Sequence, residues 1–228
     1  MNILTDPVWR KRASPVEWIG PKRHTEPGIA WKHLPKIDIV ILSHNHFDHM
    51  DVETLRKLYR RDNPTIYTGL GNKSYLAKRK IHTVVEMDWW DSIVTETSGI
   101  KITFLPSQHF SARGITDRNR TLWGGFAVEI ADKTIYFAGD TGIGPFSTKI
   151  REQFPRGFDI GFLPIGAYNP RWFMAAMHTS PCEGMQMQKE LGINQVLGIH
   201  YGTFPLARDL QDEPIEDLER AKKMPEYI

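Results

Sequence analysis

The sequence predicts an α/β fold, and three observations carry that reading. Short apolar or β-branched runs alternate with stretches of helical periodicity, beginning with Ile37–Leu42, a helix from Asp51 to about Arg61 and the run Thr65–Thr68. The middle of the chain, from Ser92 to Ala138, reads almost entirely as strands parted by turns. Functional residue types stand at strand ends: His44, Asp140, Gly166 and His200 each follow an apolar strand, and His109 follows Phe104-Leu105. Rigid sheets present functional groups on the loops at their strand ends, so these positions point to one convergent site.

The elements follow in order. The first 35 residues are rich in Pro, Trp and charge, with turn signals at Ser14-Pro15, Gly20-Pro21 and Pro27-Gly28, and read as a long ordered loop. Ile37–Leu42 has the pattern of a buried strand. Asp51 caps the next helix, with Val52, Leu55, Leu58 and Tyr59 on one face. A strand at Thr65–Thr68, a helix near Asn72–Arg79 and a strand at Thr83–Met87 come next. Strands are then expected at Ser92–Glu96, Ile100–Pro106, Leu122–Ile130 and Thr134–Ala138, a helix at Pro145–Gln153 and a strand at Asp159–Pro164. Ser180-Pro181-Cys182-Glu183 spells a capping box with Pro at the first helical position, opening a helix that ends near Gly192. Gln195–Ile199 reads as another buried strand running into His200, and Pro214–Lys223 as an amphipathic helix.

Composition bounds the function. The 228 residues suit one sizeable domain, 1–228, with 40% apolar and 25% charged side chains. A net charge of +2 gives no basic footprint of the kind nucleic-acid binding requires. One cysteine, Cys182, excludes an intrachain disulfide. Neither an apolar run of spanning length nor the apolar core of a signal peptide is found, so the expected location is the cytoplasm, with peripheral membrane contact open to it.

Ser43-His44-Asn45-His46-Phe47-Asp48-His49 places three imidazoles and a carboxylate in a short span. On an extended segment His44 and His46 point the same way and can grip one ion, while Asp48 and His49 diverge toward a second. Imidazole with carboxylate suits Zn²⁺, and also Fe²⁺ or Mn²⁺. A second ion needs more ligands, for which His109, Asp140 and His200 are the candidates, Asp140 being suited to bridge. One histidine after a strand is usually only a hydrogen-bonded residue; ligand types at this spacing point to metal.

The stretch Ser43–His49 resembles the H-x-H-x-D-H signature of the metallo-β-lactamase superfamily, and the resemblance extends through Gln108-His109, Phe137–Gly142 and Gly198–Gly202. Within that superfamily the chain is similar to the N-acyl-phosphatidylethanolamine-hydrolysing phospholipase D family and its bacterial relatives. The matching segments are Leu4–Trp9, Ala13–Pro15, Gly20–Arg23, Trp89-Trp90, Pro164–Tyr168, Pro170–Met174 and His200–Phe204. The resemblance implies a four-layer αββα sandwich, here lacking the first β-hairpin, with two divalent metals, Zn²⁺ being expected. It assigns His44, His46 and His109 to one ion and Asp48, His49 and His200 to the other, with Asp140 bridging. One segment departs from the family pattern: His178–Gly184 stands where relatives more often read His-x-x-Pro-Glu-Glu-Ala.

The implied activity is phospholipase D-type hydrolysis of N-acylphosphatidylethanolamine-like phospholipids by a metal-bridging hydroxide. Asp48 would also orient the nucleophile, and His178 would protonate the leaving group. Tyr168, Arg171, Trp172 and Phe173, with Met174 and Met177, would line an acyl-chain groove, Arg171 meeting the phosphate. A lactonase of a small phosphorylated sugar acid and a non-catalytic homologue are the alternatives, and self-association is expected if sheet edges are exposed. His24, His33 and His82 read as solvated or hydrogen-bonded, Cys182 as packed. Arg10-Lys11-Arg12 and Lys78-Arg79-Lys80 read as solvated runs able to touch anionic lipid.

Overall fold

The computed structural model describes residues 1–96 and 98–224. They form two compact units, one of Met1–Trp89 with Phe110–Trp123, the other of Trp90–His109 with Gly124 onward.

In the first unit, strands β1 (Ile3–Thr5), β2 (Ile39–Leu42), β3 (Thr65–Gly69) and β4 (Val84–Met87) form a parallel sheet in that order. Helices α1 (Val52–Asp62) and α2 (Asn72–Ala77) supply crossovers, as parallel neighbours require. Every residue of β2 is buried, matching its unbroken apolar run. Leu55 and Leu58 of α1 pack with Val40, Leu42, Ile66 and Leu76 in one core. Asp51 caps α1 as expected, accepting from the Glu53 amide at 3.1 Å, and it also takes the Trp9 and Arg10 amides.

The N-terminal stretch corrects one expectation. Ile3–Thr5 is a strand, paired with Ile39–Ile41, where a loop was expected. Three residues are too few to show a period of two; the ladder with β2 makes them a strand. Trp9 then anchors the following loop, its indole donating to the Ile29 carbonyl at 3.0 Å and its ring meeting Trp31 edge-on at 5.7 Å.

In the second unit, β5 (Ser92–Val94), β6 (Lys101–Leu105), β7 (Gly125–Ile130) and β8 (Lys133–Phe137) run antiparallel. The sheet continues in parallel through β9 (Phe158–Pro164) to β10 (Ile193–Ile199), an edge. Helices α3 (Phe146–Gln153) and α5 (Pro181–Leu191) pack on it through Phe146, Ile150, Met187 and Leu191. The capping box forms as read: Ser180 Oγ accepts from the Glu183 amide and Glu183 returns to the Ser180 amide at 2.8 Å. Here β10 departs from expectation. Its apolar run looked buried, yet Leu197 is 46% exposed, because an edge strand has a neighbour on one side only. The short helix α4 (Arg171–Met174) and the tail helix α6 (Glu213–Ala221) complete the described elements. No helix among the described residues is long and apolar enough to cross a membrane.

Candidate metal centre

In the first unit the chain leaves β2 at Leu42 and turns tightly, the His49 and Met50 amides both donating to the His46 carbonyl. His44 and His49 are buried there. Asp6, directly after β1, organises them. Its Oδ1 accepts the Ser43 amide at 2.8 Å, and its Oδ2 accepts the Ser43 hydroxyl at 2.5 Å and His49 Nδ1–H at 2.6 Å. The Ser43 proton is therefore committed to Asp6, so Ser43 Oγ accepts from His44 Nδ1 at 2.9 Å. Both histidines are thereby set in the tautomer that presents Nε2 as a lone pair. Arg113 Nη1 braces the turn from outside, donating to the carbonyls of Asn45 at 2.7 Å and Met50 at 2.9 Å. Phe110 lies edge-on to His46 at 4.6 Å.

In the second unit His109, Asp140, His178 and His200 stand on loops after strands. The Gln108 amide donates to Thr141 Oγ1 and the Gly142 amide to the Gln108 carbonyl, each at 2.9 Å, tying the loop after β6 to the loop after β8. His109 Nδ1–H donates to the Met177 carbonyl at 3.0 Å, again leaving Nε2 as the lone pair. His200 adopts a left-handed backbone at φ +61°, a strained choice for a residue with a Cβ. Gly166 permits it: a Cβ there would lie 2.2 Å from the His200 carbonyl oxygen. His178 stacks on His200 at 5.4 Å and 12° between planes, and meets His109 edge-on.

These groups fit a metal on two grounds. With Nδ1 donating elsewhere, His49 Nε2 faces Asp48 Oδ2 at 3.2 Å and His109 Nε2 faces Asp140 Oδ2 at 3.6 Å. Acceptor facing acceptor is unfavourable unless a proton or cation lies between. The spacing of His200 and Asp140 is also right. Bonds of about 2.0–2.1 Å at the tetrahedral angle place zinc donors about 3.3 Å apart. His200 Nε2 to Asp140 Oδ2 is 3.3 Å, whereas His44 Nε2 to His46 Nδ1, at 2.8 Å, is shorter and is a hydrogen-bond distance. His178 Nδ1, at 4.0 Å from the same oxygen, stands outside this range. Asp6 also comes within 4.8 Å of His44 and His49, but both its oxygens are occupied by the bonds above, so it orients ligands. Its role escaped the sequence reading. A carboxylate directly after a strand is the signal that singled out Asp140, and it was hidden because β1 was read as loop.

Two residues expected at the substrate are engaged elsewhere. Tyr168 is buried and its hydroxyl donates to Asp217 of α6 at 2.5 Å. Burial and that carboxylate both push its phenol above the ordinary value. Arg171 Nη2 donates to both Glu183 oxygens, at 2.6 and 2.7 Å, and Nη1 donates to the carbonyls of His178 and Tyr168. A guanidinium so occupied braces the His178 loop rather than meeting a phosphate. Trp172 and Phe173 do face solvent, 85% and 56% exposed, and meet edge-on at 5.7 Å.

The chain is similar to known proteins. The chain is 37% identical to N-acyl-phosphatidylethanolamine-hydrolyzing phospholipase D 1 of Caenorhabditis elegans over 215 residues, 90% of this chain and 60% of that protein. It is 35% identical to the mitochondrial N-acyl-phosphatidylethanolamine-hydrolyzing phospholipase D of Saccharomyces cerevisiae, over 96% of this chain and 47% of the relative. The chain thus spans about half to three fifths of these curated relatives. A metallo hydrolase from the archaeon Ignicoccus hospitalis shares the fold at a TM-score of 0.67 and 22% identity, over 96% of this chain and 83% of that one. A sequence model of the beta-lactamase superfamily domain matches residues 1–201. With that match over most of its length, the chain belongs to the metallo-β-lactamase superfamily of metal-dependent hydrolases.

Proposed function

We propose that this chain hydrolyses phosphodiesters in the manner of a phospholipase D, acting on N-acylphosphatidylethanolamine-like phospholipids. One observation carries the reading: buried imidazole and carboxylate donors, held in the right tautomer and at metal-donor spacing, in a chain similar to two phospholipases of that name. In this reading, which takes its grouping from the family resemblance, His44, His46 and His109 would hold one divalent ion and Asp48, His49 and His200 the other, with Asp140 shared. Residues 1–228 then act as one hydrolase domain. Zn²⁺ suits the donors, which Fe²⁺ and Mn²⁺ share. Divalent ions at such a site supply Lewis acidity to phosphoryl oxygens and lower the pKa of water to about 7.

The protein's own residues do the rest. Asp48 gives one oxygen to the donor set, and its second accepts a proton from the attacking water. His178 delivers a proton from Nε2 to the departing alkoxide, Nδ1 being turned toward Asp140. Arg171 holds that histidine in place through its backbone carbonyl. Trp172 and Phe173 take up the acyl chain at the membrane surface, which accounts for their exposure.

The test is metal analysis of the purified chain alongside assays on N-acylphosphatidylethanolamine, a short-chain phosphodiester and a phosphorylated sugar lactone. Bound metal with phosphatidic acid as a product is expected. A metal-replete protein that opens the lactone and leaves both phosphodiesters intact would overturn the proposal.

A further inference from the structure

The two basic runs at Arg10–Arg12 and Lys78–Lys80 stand far apart in the sequence, yet Arg10 and Arg79 line one cavity of about 410 Å³ in the first unit. Arg56 of α1 and Arg113 line it too, with Glu53 and Asp117 as the lining carboxylates. Four guanidiniums therefore face two carboxylates. Arg56 is paired with Glu53 at 2.6 Å, and Arg10 with Glu17 at 2.5 Å. Asp117 accepts the backbone amides of Arg113 and Gly114. Among the described residues neither Arg79 nor Arg113 has an ion-pair partner, and Arg113 Nε is buried without a hydrogen bond.

Aromatic rings fix the planes of these two groups. The Arg79 guanidinium sits 3.4 Å from the Tyr75 ring centroid, and that of Arg113 sits 4.0 Å from the Phe47 centroid. Arg79 Nη1 donates to the Tyr75 carbonyl at 2.9 Å and Arg113 Nη1 to the carbonyls of Asn45 and Met50, so each stacked guanidinium keeps its remaining N–H groups for an oxyanion. Like charges crowded where solvent is scarce repel one another, and the Arg10 and Arg56 side chains are only 18% and 29% exposed. An anion in the cavity offsets that repulsion. The volume admits a phosphate ester with a few waters, each occupying about 30 Å³.

We propose that this cavity is a binding site for a phosphate monoester dianion, either free in solution or as the head group of an anionic phospholipid. It does not depend on the phosphodiesterase reading, because none of the four arginines is among the metal donors.

The experiment titrates the metal-loaded protein calorimetrically with inorganic phosphate and, separately, with phosphatidylcholine vesicles containing or lacking phosphatidic acid. The same titrations are made on Arg56→Gln/Arg79→Gln; Arg113 is kept because it braces the metal-bearing turn. The double variant is expected to bind phosphate roughly a hundredfold more weakly, about tenfold per charged hydrogen-bonding group lost, with turnover of a soluble phosphodiester unchanged. If only the vesicle affinity responds, the ligand is the lipid head group; if only the phosphate affinity responds, it is a soluble ester. Wild-type affinities for both in the double variant, or no binding of either by the wild-type protein, overturn the proposal. Arg79→Lys, which keeps the charge and loses the fork, provides a milder variant in which folding is not at issue and an intermediate affinity is expected.

Discussion

The two units prepare their metal-type residues in different ways. In the first, His44, His46, Asp48 and His49 come from one turn, and side chains hold them: Asp6 and Ser43 set the tautomers of His44 and His49. In the second, His109, Asp140 and His200 come from three separate loops, and the backbone does the holding. The Met177 carbonyl sets His109, and Gly166 makes room for the His200 carbonyl. A donor set held by side chains can be retuned by one substitution that leaves the fold intact. A set held by the backbone changes only when the fold is strained.

The sharpest test of that contrast is Asp140→Asn. It removes the carboxylate that three imidazoles of the second unit approach, and should lower turnover on the order of 10³-fold with loss of bound metal. Full activity with full metal content would refute Asp140's place in the donor set. Asp6→Asn should act through the first unit alone. Metal affinity should fall about 10–100-fold in competition with a chelator, while the midpoint of denaturant unfolding of the metal-free protein moves little. Gly166→Ala should show the reverse pattern. Its Cβ would meet the His200 carbonyl, so the metal-free protein itself should lose about 1–3 kcal/mol in urea unfolding. Equal stability losses in these two variants would erase the distinction between the units. Tyr168→Phe should be the mildest: loss of the hydroxyl's bond to Asp217 costs about 1.5 kcal/mol, with KM for long-acyl substrates unchanged. A raised KM would return Tyr168 to the substrate surface.

The same contrast explains what the sequence made legible. The His44–His49 cluster lies within one turn of chain, so spacing alone exposed it. The distant candidates His109, Asp140 and His200 stand out by their places after strands, and their grouping rests on resemblance to a known family, because periodicity carries no information about which strand ends meet. The substrate residues divided for a related reason. Trp172 and Phe173 are exposed, whereas Tyr168 and Arg171 have partners, Asp217 and Glu183, that no local pattern announces.

By itself the sequence determined whatever is decided within a few residues. The Asp51 cap, the Ser180–Glu183 capping box, the buried run of β2 and the His44–His49 turn are all short-range matters of hydrogen bonding and hydrophobic period. Only the tertiary structure decided that Ile3–Thr5 pairs as a strand, that β10 lies at an edge, that Asp6 reaches Ser43 and His49, and that four arginines share a cavity. Each of these depends on partners distant along the chain, brought together by burial of the apolar runs, and no local pattern encodes them.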